Sequence, residues 1–287
     1  MKLSSLIIVY NNNKRYWRNY TMNNHEIDYK VFGDDMQYVQ VELDPQETVV
    51  AEAGALMMMD DAIQMETIFG DGSKGNGQSG LMGKLLGAGK RLVTGESLFM
   101  TTFTNIGTGK RHVYFASPYP GKIIPMDLSQ LKGKIICQKD AFLAAAKGVS
   151  VGVEFQKKIG VGFFGGEGFI MQKLEGDGMA FVHAGGAIHR KTLQPGEVLR
   201  VDTGCLVAMT SDVDYNIEMV GGVKTALFGG EGIFFATLRG PGTVWVQSLP
   251  FSRLASRVFA AAPISQGGGG HSSGEGGIGG LFDMFNK

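Results

Sequence analysis

Phe164-Gly165-Gly166-Glu167-Gly168 returns as Phe228-Gly229-Gly230-Glu231-Gly232, 64 residues later. The match runs on without a gap: Leu174-Glu175-Gly176-Asp177-Gly178 aligns with Leu238-Arg239-Gly240-Pro241-Gly242, and Ala180-Phe181-Val182 with Val244-Trp245-Val246. A third copy lies upstream. There Gly95-Glu96-Ser97-Leu98-Phe99 leads through Gly107-Thr108-Gly109 into Val113-Tyr114-Phe115, with the Glu-to-Gly spacing longer by two residues. A second half-motif says the same: Leu43-Asp44-Pro45-Gln46-Glu47 through Gly54-Ala55-Leu56 aligns, 150 residues on, with Leu193-Gln194-Pro195-Gly196-Glu197 through Gly204-Cys205-Leu206. Lys132 to Ile136, followed by Ala141-Phe142-Leu143, is its middle copy. Each copy reads as turn, strand, turn, strand, then a hairpin closed at Gly-x-Gly. Pro45 and Pro195 set their turns, and Gly54 and Gly204 are expected at a positive φ or a bulge.

Strands such as Ile233-Phe234-Phe235-Ala236 are apolar on successive residues, which predicts cover on both faces. A short repeat that cannot bury both faces alone packs on its neighbours. The expected fold is all-β with little helix: three tandem β-sandwich repeats at 22–116, 117–183 and 184–250. A Gly-rich insertion at 70–92 interrupts the first. A helical segment at 251–266 and a flexible tail at 267–287 follow, nine of the fourteen residues from Gly267 to Gly280 being glycine. Residues 1–21 read as an unstructured extension or an over-called start, because Met22 opens a segment like the rest of the body.

Composition narrows the function classes. The 287 residues are 44% hydrophobic, enough for a sizeable core. The 44 glycines are about twice the usual ~7% frequency, which favours many turns. Lys2, Lys14, Arg15 and Arg18 put four basic residues and no acidic one in the first 21. The remaining body carries 23 basic against 27 acidic residues, a net of −4. That body offers no general attraction to nucleic acid, so DNA is excluded as a partner and RNA disfavoured. Cys137 and Cys205 sit in apolar runs without metal-ligand spacing and read as reduced core residues.

No motif assembles a catalytic set. Gly70-x-Gly72-x-x-Gly75 and Gly75-x-Gly77-x-x-Gly80 match the dinucleotide pattern by spacing alone, without the strand before and the helix after that hold a phosphate, so no cofactor is expected. His183 and His189 lack a ligand spacing, and His112 beside Lys110-Arg111 reads as a solvated edge. Glu96, Glu167 and Glu231 hold the same place in each repeat. A carboxylate that accepts N–H bonds from its own Gly-rich turn recurs whenever the turn does, so the three are read as structural. Cation binding, were an axis to gather them, and acid–base work are the other readings; no metal site and no catalytic residue is assigned. Leu81, Leu85 and Leu86 with Lys90 and Arg91 form an apolar run carrying positive charge, and Phe282 and Phe285 form an apolar tip. Both are candidate membrane or partner contacts.

Together, Glu52-Ala53-Gly54-Ala55-Leu56-Met57, the stretch Leu92-Val93-Thr94-Gly95-Glu96-Ser97-Leu98-Phe99 and the two Phe-Gly-Gly-Glu-Gly motifs resemble the mitochondrial-biogenesis family called altered inheritance of mitochondria, number twenty-four, and its largely uncharacterised prokaryotic branch. The resemblance covers about residues 25 to 250. It implies a fold like that of the tryptophan RNA-binding attenuation protein, three times per chain, and assembly into a ring, three chains giving nine repeats. It brings no catalytic residues. The expected function is a non-enzymatic, oligomeric scaffold or binding protein, a homotrimer, cytoplasmic or peripheral at a membrane and in contact with its lipid. An RNA- or small-ligand-binding ring is the alternative, and a metal-dependent β-barrel enzyme the third.

Overall fold

A computed structural model of the chain describes residues 5–11, 14–20, 24–69, 99–157, 169–219 and 234–261. The chain divides into two compact units after Leu254. All the described strands belong to the first, and the helix α1 (Phe251–Ala261) runs across the division. The first 21 residues, read as an extension, carry an antiparallel pair, β1 (Ser5–Asn11) and β2 (Lys14–Tyr20), which forms a two-stranded sheet of its own.

From β3 (Asp28–Phe32) onward the chain repeats itself. The first repeat holds β4 (Tyr38–Leu43), β5 (Thr48–Glu52), β6 (Leu56–Met59), β7 (Ile63–Phe69), β8 (Phe99–Asn105) and β9 (Arg111–Ala116). The second holds β10 (Gly121–Asp127), β11 (Lys134–Gln138), β12 (Phe142–Ala146), β13 (Ser150–Lys157), β14 (Phe169–Glu175) and β15 (Met179–Gly185). The third holds β16 (Ile188–Leu193), β17 (Val198–Asp202), β18 (Leu206–Thr210), β19 (Asp214–Met219), β20 (Phe234–Arg239) and β21 (Gly242–Gln247). Pairing is identical in all three. The first, sixth and third strands of a repeat form one sheet (β4-β9-β6, β10-β15-β12, β16-β21-β18); the second, fifth and fourth form the other (β5-β8-β7, β11-β14-β13, β17-β20-β19). Even the irregularity recurs: the third strand shifts register against the sixth between Leu56 and Met58, Phe142 and Ala144, and Leu206 and Ala208. β3 adds an outer strand to β4.

The turn between the first and second strands explains the repeated Pro motif. Its left-handed position is Gln46 (φ 72°), Lys132 (φ 59°) and Gly196 (φ 79°) in the three copies. In the outer copies a glutamate clamps the turn: the backbone N–H of Asp44 donates to Glu47 Oε2 at 2.8 Å, and that of Gln194 to Glu197 Oε2 at 2.9 Å. Gly54 has the expected positive φ of 88°. Gly204 departs from that expectation. It lies in a 3-10 turn, Thr203–Cys205, which needs right-handed backbone, and its N–H donates to the Asp202 side chain at 2.8 Å.

Three hydrophobic cores follow the three repeats. Val41, Val49, Phe103, Val113 and Phe115 centre the first, Leu128, Ile135, Leu174, Ala180 and Val182 the second, and Leu206, Ile217, Ala236, Leu238 and Val244 the third. β12 and β15 are buried on both faces, as their continuous apolar runs predict. β20 is not: buried Phe234, Ala236 and Leu238 alternate with half-buried Phe235 and Thr237. Cys137 is fully buried and Cys205 half-buried; burial pushes the Cys137 thiol up to about 12.

The left-handed turn position gives a direct test. A Cβ on Gly196 would meet nothing within 4 Å, so only backbone strain opposes a side chain there. Gly196→Gln is expected to lower stability by about 1 kcal/mol, and Gln46→Gly to recover a smaller amount, in denaturant unfolding. Equal midpoints for Gly196→Gln and the parent would refute the strain.

Candidate functional site

The carboxylates Glu96, Glu167 and Glu231, and the proposed contact residues Leu81, Leu85, Leu86, Lys90, Arg91, Phe282 and Phe285, all lie outside the described residues. What the structure brings together is different: a pair of complementary sheet edges and two polar clusters.

The edges follow from how neighbouring repeats are joined. β5 of the first repeat pairs antiparallel with β12 of the second (Val49↔Ala146, Val50↔Ala145, Ala51↔Ala144). β11 of the second pairs with β18 of the third (Ile135↔Thr210, Ile136↔Met209, Cys137↔Ala208). On the second and third strands, equivalent positions lie 86 residues apart between the first and second repeats and 64 between the second and third, and on that count the two seams have the same register. Side chains cross each seam in both directions. Val50 and Met100 of the first repeat enter the second core, and Ile136 and Met171 of the second enter the third. In return Leu143, Ala144 and Phe181 enter the first core, and Val207, Ala208 and Trp245 the second. At both seams these residues are buried.

The terminal repeats keep one half-seam each. β6, equivalent to β12 and β18, pairs only with β9, and β17, equivalent to β5 and β11, pairs only with β20 among the described strands. The contrast in exposure is large. Leu143 and Val207 are 2% and 1% exposed, whereas Met57 at the same position is 50% exposed; Met58 and Met59 follow at 46% and 40%. On the other edge Val198 is exposed, and Arg200 is exposed where Val50 and Ile136 are buried. Phe235 on β20, equivalent to buried Met100 and Met171, is only half-buried. Full burial of a side chain of this size is worth roughly 1.5–3 kcal/mol, so these edges hold substantial unspent association energy.

The first polar cluster sits at the ends of β4, β6 and β9. His112, far from being a solvated edge, lies between two carboxylates: Nε2 is 3.3 Å from Glu42 Oε2 and Nδ1 3.4 Å from Asp60 Oδ2, which also accepts the His112 backbone N–H at 2.8 Å. Lys110 binds Glu42, and that bond with the neighbouring charges holds the Glu42 carboxyl below its usual range. The second cluster lies where β5 meets the 3-10 turn Lys139–Ala141. Although Glu52 keeps contact with solvent, desolvation and the nearby Asp140 push its carboxyl up to about 7, with Lys139 opposing. Tyr119, raised to about 12 by burial and by the same two carboxylates, packs edge-on against His183 at 4.3 Å. These polar groups are not repeated. The position of Glu52 is Gln138 in the second repeat and, in the third, Asp202, which pairs with Arg253 at 3.2 Å. Among the described residues no group of three or more His, Cys, Asp or Glu is arranged so that it could hold a metal ion, and no helix is long and apolar enough to cross a membrane.

His183 is 2% exposed, and burial pushes its imidazole down from 6.5 to about 4, the Tyr119 backbone acting in the opposite sense. Between those values the unfolded chain binds the extra proton. The contribution of neutral His183 is therefore complete above pH 6.5 and is lost as pH falls toward 4, by about 3 kcal/mol in all. His183→Phe should flatten the decline of unfolding free energy over pH 6.5 to 4 relative to the parent. Superimposable pH profiles would show that the imidazole is not the acid-sensitive group.

Comparison with known proteins places this architecture. An uncharacterised protein of Streptococcus pyogenes is 31% identical over 235 residues, covering 80% of this chain and 89% of the relative. The crystal structure of a Streptococcus pyogenes protein from a structural genomics consortium superposes with a TM-score of 0.65 at 24% identity, covering 83% of this chain and all of the other; it shows the same fold. The family model described as "Mitochondrial biogenesis AIM24" matches residues 29–249, the span of the three β-repeats. The chain belongs to the AIM24 mitochondrial-biogenesis family.

Proposed function

We propose that the chain is a non-enzymatic scaffold that assembles with copies of itself, as a homotrimer, and presents the repeated surfaces of that assembly for binding at a membrane. The observation that carries this reading is the pair of apolar half-seams, β6 and β17, whose internal counterparts are both buried. Exposed sheet edges are templates for pairing, and soluble chains cover them or use them. The polar clusters support a structural role as well: Glu47 and Glu197 clamp turns, Asp202 caps Gly204, and His112 ties β9 to Glu42 and Asp60. The net negative body weighs against RNA as the ligand. The membrane contact would run through Leu81, Leu85, Leu86, Lys90 and Arg91, an apolar run with positive charge suited to an anionic surface.

Native mass spectrometry of the full chain should give a species of three times 30.8 kDa. A monomer that persists at all concentrations would overturn the scaffold reading. Flotation with phosphatidylserine-containing vesicles should carry the protein upward, and Lys90→Glu with Arg91→Glu should reduce the floated fraction; no flotation of the parent would remove the membrane part alone.

A further inference from the structure

We infer that α1 is an interfacial helix that lies in the surface of an anionic lipid bilayer, with Phe251, Val258 and Phe259 toward the acyl chains and Arg257 against the headgroup phosphates. This rests on the membrane contact proposed above and adds a second element to it, separate from the run at 81–91. Local sequence builds the helix. Pro250 opens it, its carbonyl accepting the N–H groups of Arg253 and Leu254 at 3.0 and 3.3 Å, and Pro263 stands just past its end. Phe251, Leu254, Ala255, Val258 and Phe259 fall at i, i+3, i+4, i+7 and i+8, which is one face; Ser252, Arg253, Ser256 and Arg257 share the other.

A stripe of this kind on a helix of a globular fold ordinarily faces the core. Here it is bare: Phe251 is 54% exposed, Val258 60% and Phe259 48%. The first turn is tied to the β-repeats, Phe251 resting against Tyr119 with ring centroids 5.2 Å apart and Arg253 pairing with Asp202 at 3.2 Å. Charge says what covers the rest. No Asp or Glu occurs between Glu231 and Glu275, whereas Arg239, Arg253 and Arg257 all do. Two cations four residues apart repel on a helix, and Arg253 stands in the first turn, where the helix dipole disfavours a cation, so helix stability does not account for the pair. Asp202 answers Arg253; Arg257 has no ion-pair partner among the described residues and is left for an outside anion. A guanidinium fork fits a phosphate oxygen pair. A groove on a protein takes a helix by its apolar stripe and leaves the opposite face to water, so it does not call for a polar face that is basic and free of acid. An anionic lipid surface calls for both.

The test uses the full chain with phosphatidylcholine vesicles, with and without phosphatidylserine. Val258→Glu with Phe259→Glu, both at exposed positions where the fold does not depend on them, should lower partitioning onto the anionic vesicles at least about tenfold. Arg257→Ala should lower it about fivefold, on the anionic vesicles alone. A second arm reads depth: Phe259→Trp, measured against the parent, should shift its emission to the blue on vesicle addition and be quenched by brominated acyl chains. If the parent floats and the double glutamate variant floats equally well, or the introduced indole stays unquenched, α1 is not the contact, and the membrane reading stands on the run at 81–91. A double variant that loses subunits in native mass spectrometry while still floating would give the stripe to a second copy of the chain, which also overturns the inference. No flotation of the parent would overturn both.

Discussion

Everything in this fold hangs on the seam between the second strand of one repeat and the third strand of the next. A single repeat is an open pair of three-stranded sheets, and neither face of its second strand is closed by its own residues alone. Val50 and Ile136 leave their own repeat to fill the core of the following one, while Leu143 and Val207 travel the other way. Each core is therefore a joint product of neighbours, and stability has the nearest-neighbour form of other repeat architectures. The middle repeat, with both seams made, is the pattern against which the outer two are incomplete.

The repeats agree where backbone geometry is decided and differ where polar groups meet water. The turn between first and second strands takes the left-handed conformation in all three copies, although only one copy supplies a glycine for it. The loop after the fifth strand is closed by Gly176 and Gly240 in two copies. In the first copy it is closed by buried Asn105, whose side chain donates to the Leu43 and Gly109 carbonyls and accepts from Gly107. At the ends of the second strands the copies differ: Glu52 lies beside Asp140 and Lys139 in the first, Gln138 takes the place in the second, and Asp202 pairs with Arg253 in the third. Backbone requirements repeat because the chain path repeats; side chains at seam ends are free to diverge because each meets a different environment.

Much of the architecture was legible in the chain itself. The aligned Phe-Gly-Gly-Glu-Gly and Pro-turn motifs count the repeats, and the runs around Phe142 and Phe181 announce strands buried on both faces. The candidate site was far less legible. Glu96, Glu167 and Glu231 stand out by pattern, yet pattern marks any feature the turn needs as strongly as one that function needs. His112 looked like a solvated hairpin residue, since its partners Glu42 and Asp60 are 70 and 52 residues away in sequence. Met57, Met58 and Met59 look like core by composition, and nothing local says that their cover is missing.

The sequence alone determined the strand-rich fold, the number of repeats and the positions of their turns, because these follow from local backbone preference and from apolar periodicity. Tertiary structure alone decided which strands meet across repeats, which apolar side chains end bare, and which acids surround His112 and Glu52. Those outcomes depend on pairing between residues far apart in the chain. Whether an apolar strand is a buried middle or an exposed edge is set by its neighbours in space, of which its own residues carry no record.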